Sequence, residues 1–127
     1  MMKLLLVGAG GFVGSVLRYL VSGAAQALFR NSTFPLGTLA VNVTGCFAIG
    51  LISQLAESRG FLGGPSRTFL VIGVLGGYTT FSAYASESFN LLRAGEAPLA
   101  MVNVAAQALL GLCCVWLGRD AAYLLWR

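Results

Sequence analysis

Histidine is absent from this 127-residue chain, and acidic side chains are scarce: four, against eight Lys and Arg. The four are Glu57, Glu87, Glu96 and Asp120, and the single lysine is Lys3. General acid–base catalysis and hydrolytic metal centres draw on His, paired carboxylates or lysine. An enzyme of either kind therefore lacks its usual parts. Cys46, Cys113 and Cys114 all fall inside apolar runs, with no Cys-x-x-Cys spacing. Such an odd, scattered set is not a disulfide framework, and packing is its expected role. Charged residues make up only 9% of the chain, where soluble domains carry about 25%. The formal charge of +4 does not point to nucleic acid, because the arginines are scattered singly and form no basic face.

What fills the chain is apolar: 57% of residues are hydrophobic, and the mean hydropathy is +0.83. Apolar segments run over residues 4–29, 36–56, 68–92 and 97–116, the last reaching as far as Trp126. Each meets or exceeds the about 20 residues that cross a bilayer. The joints at 30–35, 57–67 and 93–98 hold the breakers, and Pro35, Pro65 and Pro98 stand near the start of a following helix, where proline is tolerated. The expected fold is an all-α integral membrane protein, one domain of four transmembrane helices spanning residues 1–127, multi-pass in the cell membrane.

Two other readings of the first segment are disfavoured. Residues 3–14, Lys-Leu-Leu-Leu-Val-Gly-Ala-Gly-Gly-Phe-Val-Gly, imitate the strand and glycine turn of a dinucleotide fold. That fold needs an acidic residue about 20 positions on, yet 15–56 contain none, and the chain has no Tyr-x-x-x-Lys pair. Lys3, the apolar run and Ala25-Gln26-Ala27 imitate a signal peptide. Arg18 interrupts that run, and cleavage would leave three helices.

The stretch from Gly73 to Tyr84, Gly-Val-Leu-Gly-Gly-Tyr-Thr-Thr-Phe-Ser-Ala-Tyr, stands where a plain lipid-facing helix would be expected. Paired glycines and threonines are poor helix formers. Unwound backbone survives in a bilayer only when buried in protein or lining a cavity, so a break in the third helix is expected to mark an ion site. Close helix packing is the competing explanation of its glycines. Gly10 with Gly14, and Gly73 with Gly77, form two Gly-x-x-x-Gly pairs, and Gly45 and Gly50 add small residues to the second helix. So many small faces on four short helices predict an oligomer.

Polar residues inside the apolar runs are candidates by default. Arg18 lies near the middle of the first segment; snorkelling towards an interface is its alternative. Asn42 and Thr44 lie in the second segment, and Asn103 and Gln107, at i and i+4, share a face of the fourth. Phe81 and Tyr84, at i and i+3, share another. Interhelical bonding explains such residues as readily as pore lining does. As a lining, amide donors and electropositive ring edges favour an anion, whereas carboxylate rings serve cations. Glu87 is the only acidic residue near this track.

Three motifs in order resemble the Fluc (CrcB) fluoride channels: Gly10-Gly11-Phe12-Val13-Gly14-Ser15-Val16-Leu17-Arg18-Tyr19, then Pro35-Leu36-Gly37-Thr38-Leu39-Ala40-Val41-Asn42-Val43-Thr44-Gly45, then Gly76-Gly77-Tyr78-Thr79-Thr80-Phe81-Ser82 followed by Glu87. The resemblance implies an antiparallel, dual-topology homodimer in the lipid bilayer, with two pores that passively export fluoride. It implies a structural, untransported Na⁺ at the dimer centre, held by the main-chain carbonyls of Gly76 and Thr79. Asn42, Phe81, Ser82 and Tyr84 stand at pore positions, with Asn103 and Gln107 on the polar track of the fourth helix. Asn42 is expected to offer its amide NH₂ to fluoride, and Phe81 its ring edge. The chain departs from the family at Tyr84, where Phe is usual, and Tyr keeps the edge while adding a hydroxyl. Lys3, Arg59, Arg67, Arg119 and Arg127 outnumber Arg30 and Arg93 across the membrane, a bias towards a cytoplasmic N-terminus. Dual topology requires near balance, so a subunit of one topology with a partner gene is the alternative. A four-helix multidrug exporter would need a carboxylate in its first helix, and no Asp or Glu precedes Glu57. A structural subunit without transport would use its polar faces only for packing.

Overall fold

Proline is missing between the joints, and the long stretches of Leu, Val, Ala and Gly leave nothing to stop a helix once started. The structure, a computed structural model, describes residues 1–60 and 62–125, apart from the side chain of Arg59. The expected reach to Trp126 and the charge on Arg127 lie outside the described residues.

Helix α1 runs Met2–Leu28 and α2 runs Leu36–Arg59, with Pro35 as its N-cap. The short α3, Gly64–Arg67, carries Pro65 in its first turn and passes into wider π-helical turns over Thr68–Leu75, the π segment. Helix α4, Gly76–Tyr78, follows; α5 runs Phe81–Arg93 and α6 runs Ala97–Leu125. The described residues contain no strand. Four stretches are long and apolar enough to cross a membrane: Met2–Leu28, Leu36–Ser58, Gly64–Arg93 and Ala97–Leu125. The four expected spans are thus present, the third beginning four residues before residue 68 and the fourth running past residue 116.

Gly60 ends α2 with φ 59°, a left-handed conformation that glycine takes without a Cβ penalty. The link from α1 to α2 is tied by Gln26, whose Oε1 accepts from Gly37 N at 3.2 Å and whose Nε2 donates to Ser32 O.

The most extensive helix contact joins α2 to α6, and the next joins α1 to the π segment. Glycine makes the second possible. A methyl group on Gly10 would sit 2.8 Å from Gly73 Cα, and one on Gly14 would overlap the Val74 carbonyl oxygen. The two Gly-x-x-x-Gly pairs therefore meet each other, backbone against backbone, in the packing such pairs allow.

Few side chains are buried inside the chain: among the described residues Pro35, Val41, Leu91, Ala100 and Ala122, with polar Thr38, Ser88 and Asn103. Large apolar groups stand outward all round, including Phe12, Tyr19, Phe81 and Trp116. Such a surface calls for lipid or a further protein chain rather than water.

Candidate functional site

Gly76 and Gly77 remain helical in α4, and regular helix stops at the two β-branched threonines. Thr79 (ψ 157°) and Thr80 (φ −149°, ψ 117°) take extended backbone between α4 and α5. Three side chains hold them. Thr79 Oγ1 donates to Leu75 O at 3.0 Å. Thr80 Oγ1 accepts from Ala83 N at 3.2 Å, capping the first turn of α5. Asn42, reaching across from α2, pairs with both polar groups of the Thr80 main chain: Oδ1 accepts from Thr80 N at 2.9 Å, and Nδ2 donates to Thr80 O at 3.0 Å. An uninterrupted α-helix would direct the Thr80 N–H to the carbonyl of Gly76; here it is turned to Asn42.

The second hydrogen of Asn42 goes to Gln107 Oε1, at 3.0 Å. Gln107 Nε2 is then buried without a partner. A buried donor left unmade costs about 1–3 kcal/mol, and Gln107 is one of the residues that line a cavity.

That cavity has a volume of about 560 Å³. Asn42 and Gln107 line it beside the rings of Phe81 and Tyr84, with Gly76 and Thr79 also on its wall. The two rings meet edge to face, centroids 5.3 Å apart and planes at 65°. Phe81 is 78% exposed in the single chain, so its ring is presented outward rather than packed in a core. Ser82 is exposed and lies 3.3 Å from Thr80 Oγ1, oxygen to oxygen.

A smaller cavity of about 240 Å³ is lined by Arg18, Ser22, Thr38 and Glu87. Thr38 Oγ1 donates to Glu87 Oε1 at 2.6 Å, while Glu87 Oε2 is buried without a partner. Thr80 lines both cavities.

The structure thus gathers Asn42, Gln107, Phe81, Tyr84, Gly76 and Thr79 at one site, and Arg18 with Glu87 at the next. It does not bring Asn103 to either cavity. Asn103 is fully buried, its Nδ2 donating to Ser88 Oγ at 3.0 Å and Ser88 in turn donating to Tyr84 O at 2.9 Å. Helical spacing placed Asn103 and Gln107 on one face, but α5 covers the first and leaves the second beside the opening.

Thr80 is the residue whose importance spacing did not reveal. It sits inside a recognisable motif, yet its role depends on Asn42, 38 positions away. Thr38 is similar, since only folding puts it against Glu87. Thr44 Oγ1 lies 2.8 Å from the Tyr78 hydroxyl oxygen, a further link between α2 and α4. Among the described residues no group of three or more His, Cys, Asp or Glu is placed to hold a metal ion.

Comparison with known proteins agrees over nearly the whole length. The model of the CrcB-like protein family, Camphor Resistance (CrcB), matches residues 5–119. Fluoride-specific ion channel FluC 1 of Methanosarcina acetivorans is 43% identical over 122 residues, covering 96% of this chain and 92% of that protein. The FluC of Chlorobaculum tepidum is 48% identical over 118 residues, 93% of this chain and 92% of its own. That of Chlorobium phaeobacteroides is 46% identical over 121 residues, with 95% and 93% covered. The chain is a multi-pass membrane protein and belongs to the CrcB family of fluoride-channel relatives.

Proposed function

We propose that this protein is a passive, fluoride-selective channel that lowers cytoplasmic fluoride by letting it leave the cell. The observation that carries the reading is the cavity wall where a buried, unpartnered amide donor stands beside two aromatic rings. Fluoride is small and holds its water strongly, so a path must replace that water with many donors in a narrow space. Amide N–H groups and ring edges supply donors without adding a cation that would trap the ion. The names of the relatives point the same way.

The working unit is an antiparallel homodimer with two pores, inserted in both orientations. The outward Phe81 supports this, because a ring so exposed in one chain needs a second surface to enclose a narrow conduit. We read Thr79 and Thr80 as a break in a single membrane-crossing helix. A sodium ion at the dimer centre fits the same feature. The N–H of Thr80 is diverted from Gly76 O to Asn42, and Gly76 and Thr79 both lie on the larger cavity. Main-chain oxygens suit a hard cation, and Gly76 and Thr79 would hold the ion by them. The ion would supply charge that pins two broken helices together. Conduction itself belongs to Asn42, Phe81, Ser82, Tyr84 and Gln107.

The test is efflux from liposomes holding purified protein, read with fluoride- and chloride-selective electrodes. Fast fluoride release with negligible chloride is expected; equal chloride release sinks the selectivity, and no release of either sinks the channel.

A further inference from the structure

We infer that Cys46 of α2 and Cys114 of α6 form a two-thiol site for a soft metal cation, the mercuric ion being the one of matching charge. The site stands apart from the fluoride reading; only its effect on flux rests on that reading.

The two helices meet closely through glycines. A methyl group on Gly50 would overlap the Val115 carbonyl oxygen, and one on Gly118 would overlap that of Phe47. Gly111 faces Cys46 in the same contact, since a methyl group there would lie 3.4 Å from Cys46 Sγ. Cys114 follows Gly111 by three residues and is its neighbour on one face of α6. Helical side chains lean towards the N-terminus, so Cys114 leans back over the space that Gly111 leaves open. The two thiols are near enough to interact electrostatically. Cys113 is the wrong partner: it is exposed, and adjacent helical residues do not face each other. Cys46 and Cys114 are both partly buried.

Chemistry then selects the ligand. Cys46 lies on the wall of the larger cavity, which gives an ion its way in, and no carboxylate lines that cavity. With no histidine in the chain, the anionic ligands on offer are thiolates, which choose soft cations. On binding, each thiol gives up its proton, two sulfur–mercury bonds form, and no electron is transferred. Two thiolates cancel the charge of a divalent ion. A neutral complex avoids the cost of a net charge beside Ile49, Val71 and Leu75, whereas a monovalent soft ion between two thiolates would leave one negative charge. The bound ion fastens α2 to α6 one helical turn from Asn42, so fluoride flux should fall.

The experiment adds one equivalent of mercuric chloride per chain to wild type, Cys46→Ala, Cys113→Ala and Cys114→Ala, each first checked as folded. Intact mass distinguishes the modes of binding. An ion bridging two sulfurs replaces two hydrogens and brings no chloride; an ion on one sulfur replaces one hydrogen and keeps its chloride. Wild type and Cys113→Ala are expected to carry the bridged ion, and the other two variants only the chloride-bearing adduct or none. A bridged ion in Cys46→Ala or Cys114→Ala overturns the pairing, and so does its loss in Cys113→Ala. In proteoliposomes the ion should slow fluoride efflux severalfold in wild type and Cys113→Ala, with recovery in excess dithiol, and leave the other two unchanged. Equal slowing of all four, or a bridged ion with unchanged flux, overturns the coupling to the pore. A wild type silent before any mercury is added overturns the channel reading, and the mass measurement then decides the site alone.

Discussion

Phe81 shows how a single side chain separates electrostatics from packing. Its ring is 78% exposed in the chain and contributes little to the chain's own core. Its contact with Tyr84 is edge to face, the geometry in which one electropositive rim meets another ring's negative face. Phe81→Ile keeps bulk and apolarity but removes the rim. The expected outcome is fluoride efflux slowed about ten- to hundredfold, the consequence of roughly 1–3 kcal/mol less compensation for lost water. Gel filtration should show the dimer unchanged. A well-folded Phe81→Ile channel running at wild-type rate would place the ring in packing and remove it from the pore.

At the level of elements, two junctions carry the site. The first is the approach of α1 to the π segment, where backbone meets backbone. Gly14→Leu would drive a side chain into the Val74 carbonyl, while at Gly8 a methyl group meets nothing within 4 Å. Overpacking a tight contact costs about 1–3 kcal/mol or more. Gly14→Leu should therefore lose most of the monodisperse protein recovered from membranes, and Gly8→Ala should lose none. Equal yields would mean that α1 is free to back away. The second junction is the start of α5. Thr80→Val keeps the β-branched shape and leaves the main-chain groups that Asn42 holds, but deletes the hydroxyl that caps Ala83 N. A lost N-cap costs about 1 kcal/mol. The expected result is a lower thermal midpoint with fluoride selectivity intact; a selectivity change would mean that the hydroxyl itself touches the ion.

The whole molecule buries few side chains within one chain and turns many large apolar ones outward, a surface that calls for lipid or a further chain. Lipid covers part of that surface; a second copy is the proposed cover for the face around Phe81 and Gly76. Thorough sodium depletion should then weaken the dimer and slow efflux together, and sodium should restore both. Thr79→Ser should respond as wild type does, because the proposed ligand is its carbonyl, whereas a bulky residue at Gly76 should not recover. Unchanged dimer stability and flux without sodium would refute the metal site. Charge is also arranged on this scale. Arg119 on α6 pairs with Glu57 near the end of α2, its Nη1 donating to Oε1 at 3.2 Å and its Nη2 contacting Oε2 at 2.5 Å. One of the arginines that favoured a cytoplasmic N-terminus thus stands beside a carboxylate.

Sequence by itself determined the class of the molecule, because class depends on sums along the chain. Four apolar runs and three joints with proline follow from composition and order, and the fold has the four spans they predict. Local chemistry marked residues 76–80 as poor helix; Thr79 and Thr80 are extended, while Gly76–Tyr78 stay helical. What only the tertiary structure decided is which polar groups already have partners. Asn42 and Gln107 read alike as amides in apolar helices, yet one is fully engaged and the other keeps a free donor. Asn103 shares a helical face with Gln107, yet it is sealed beneath α5 against Ser88. Helical periodicity gives the direction of a side chain from its axis, but hydrogen bonds between residues 38 and 65 positions apart are set by how the helices pack. That packing turns on backbone contacts at glycines, and only folding brings Gly10 and Gly14 against Gly73 and Val74.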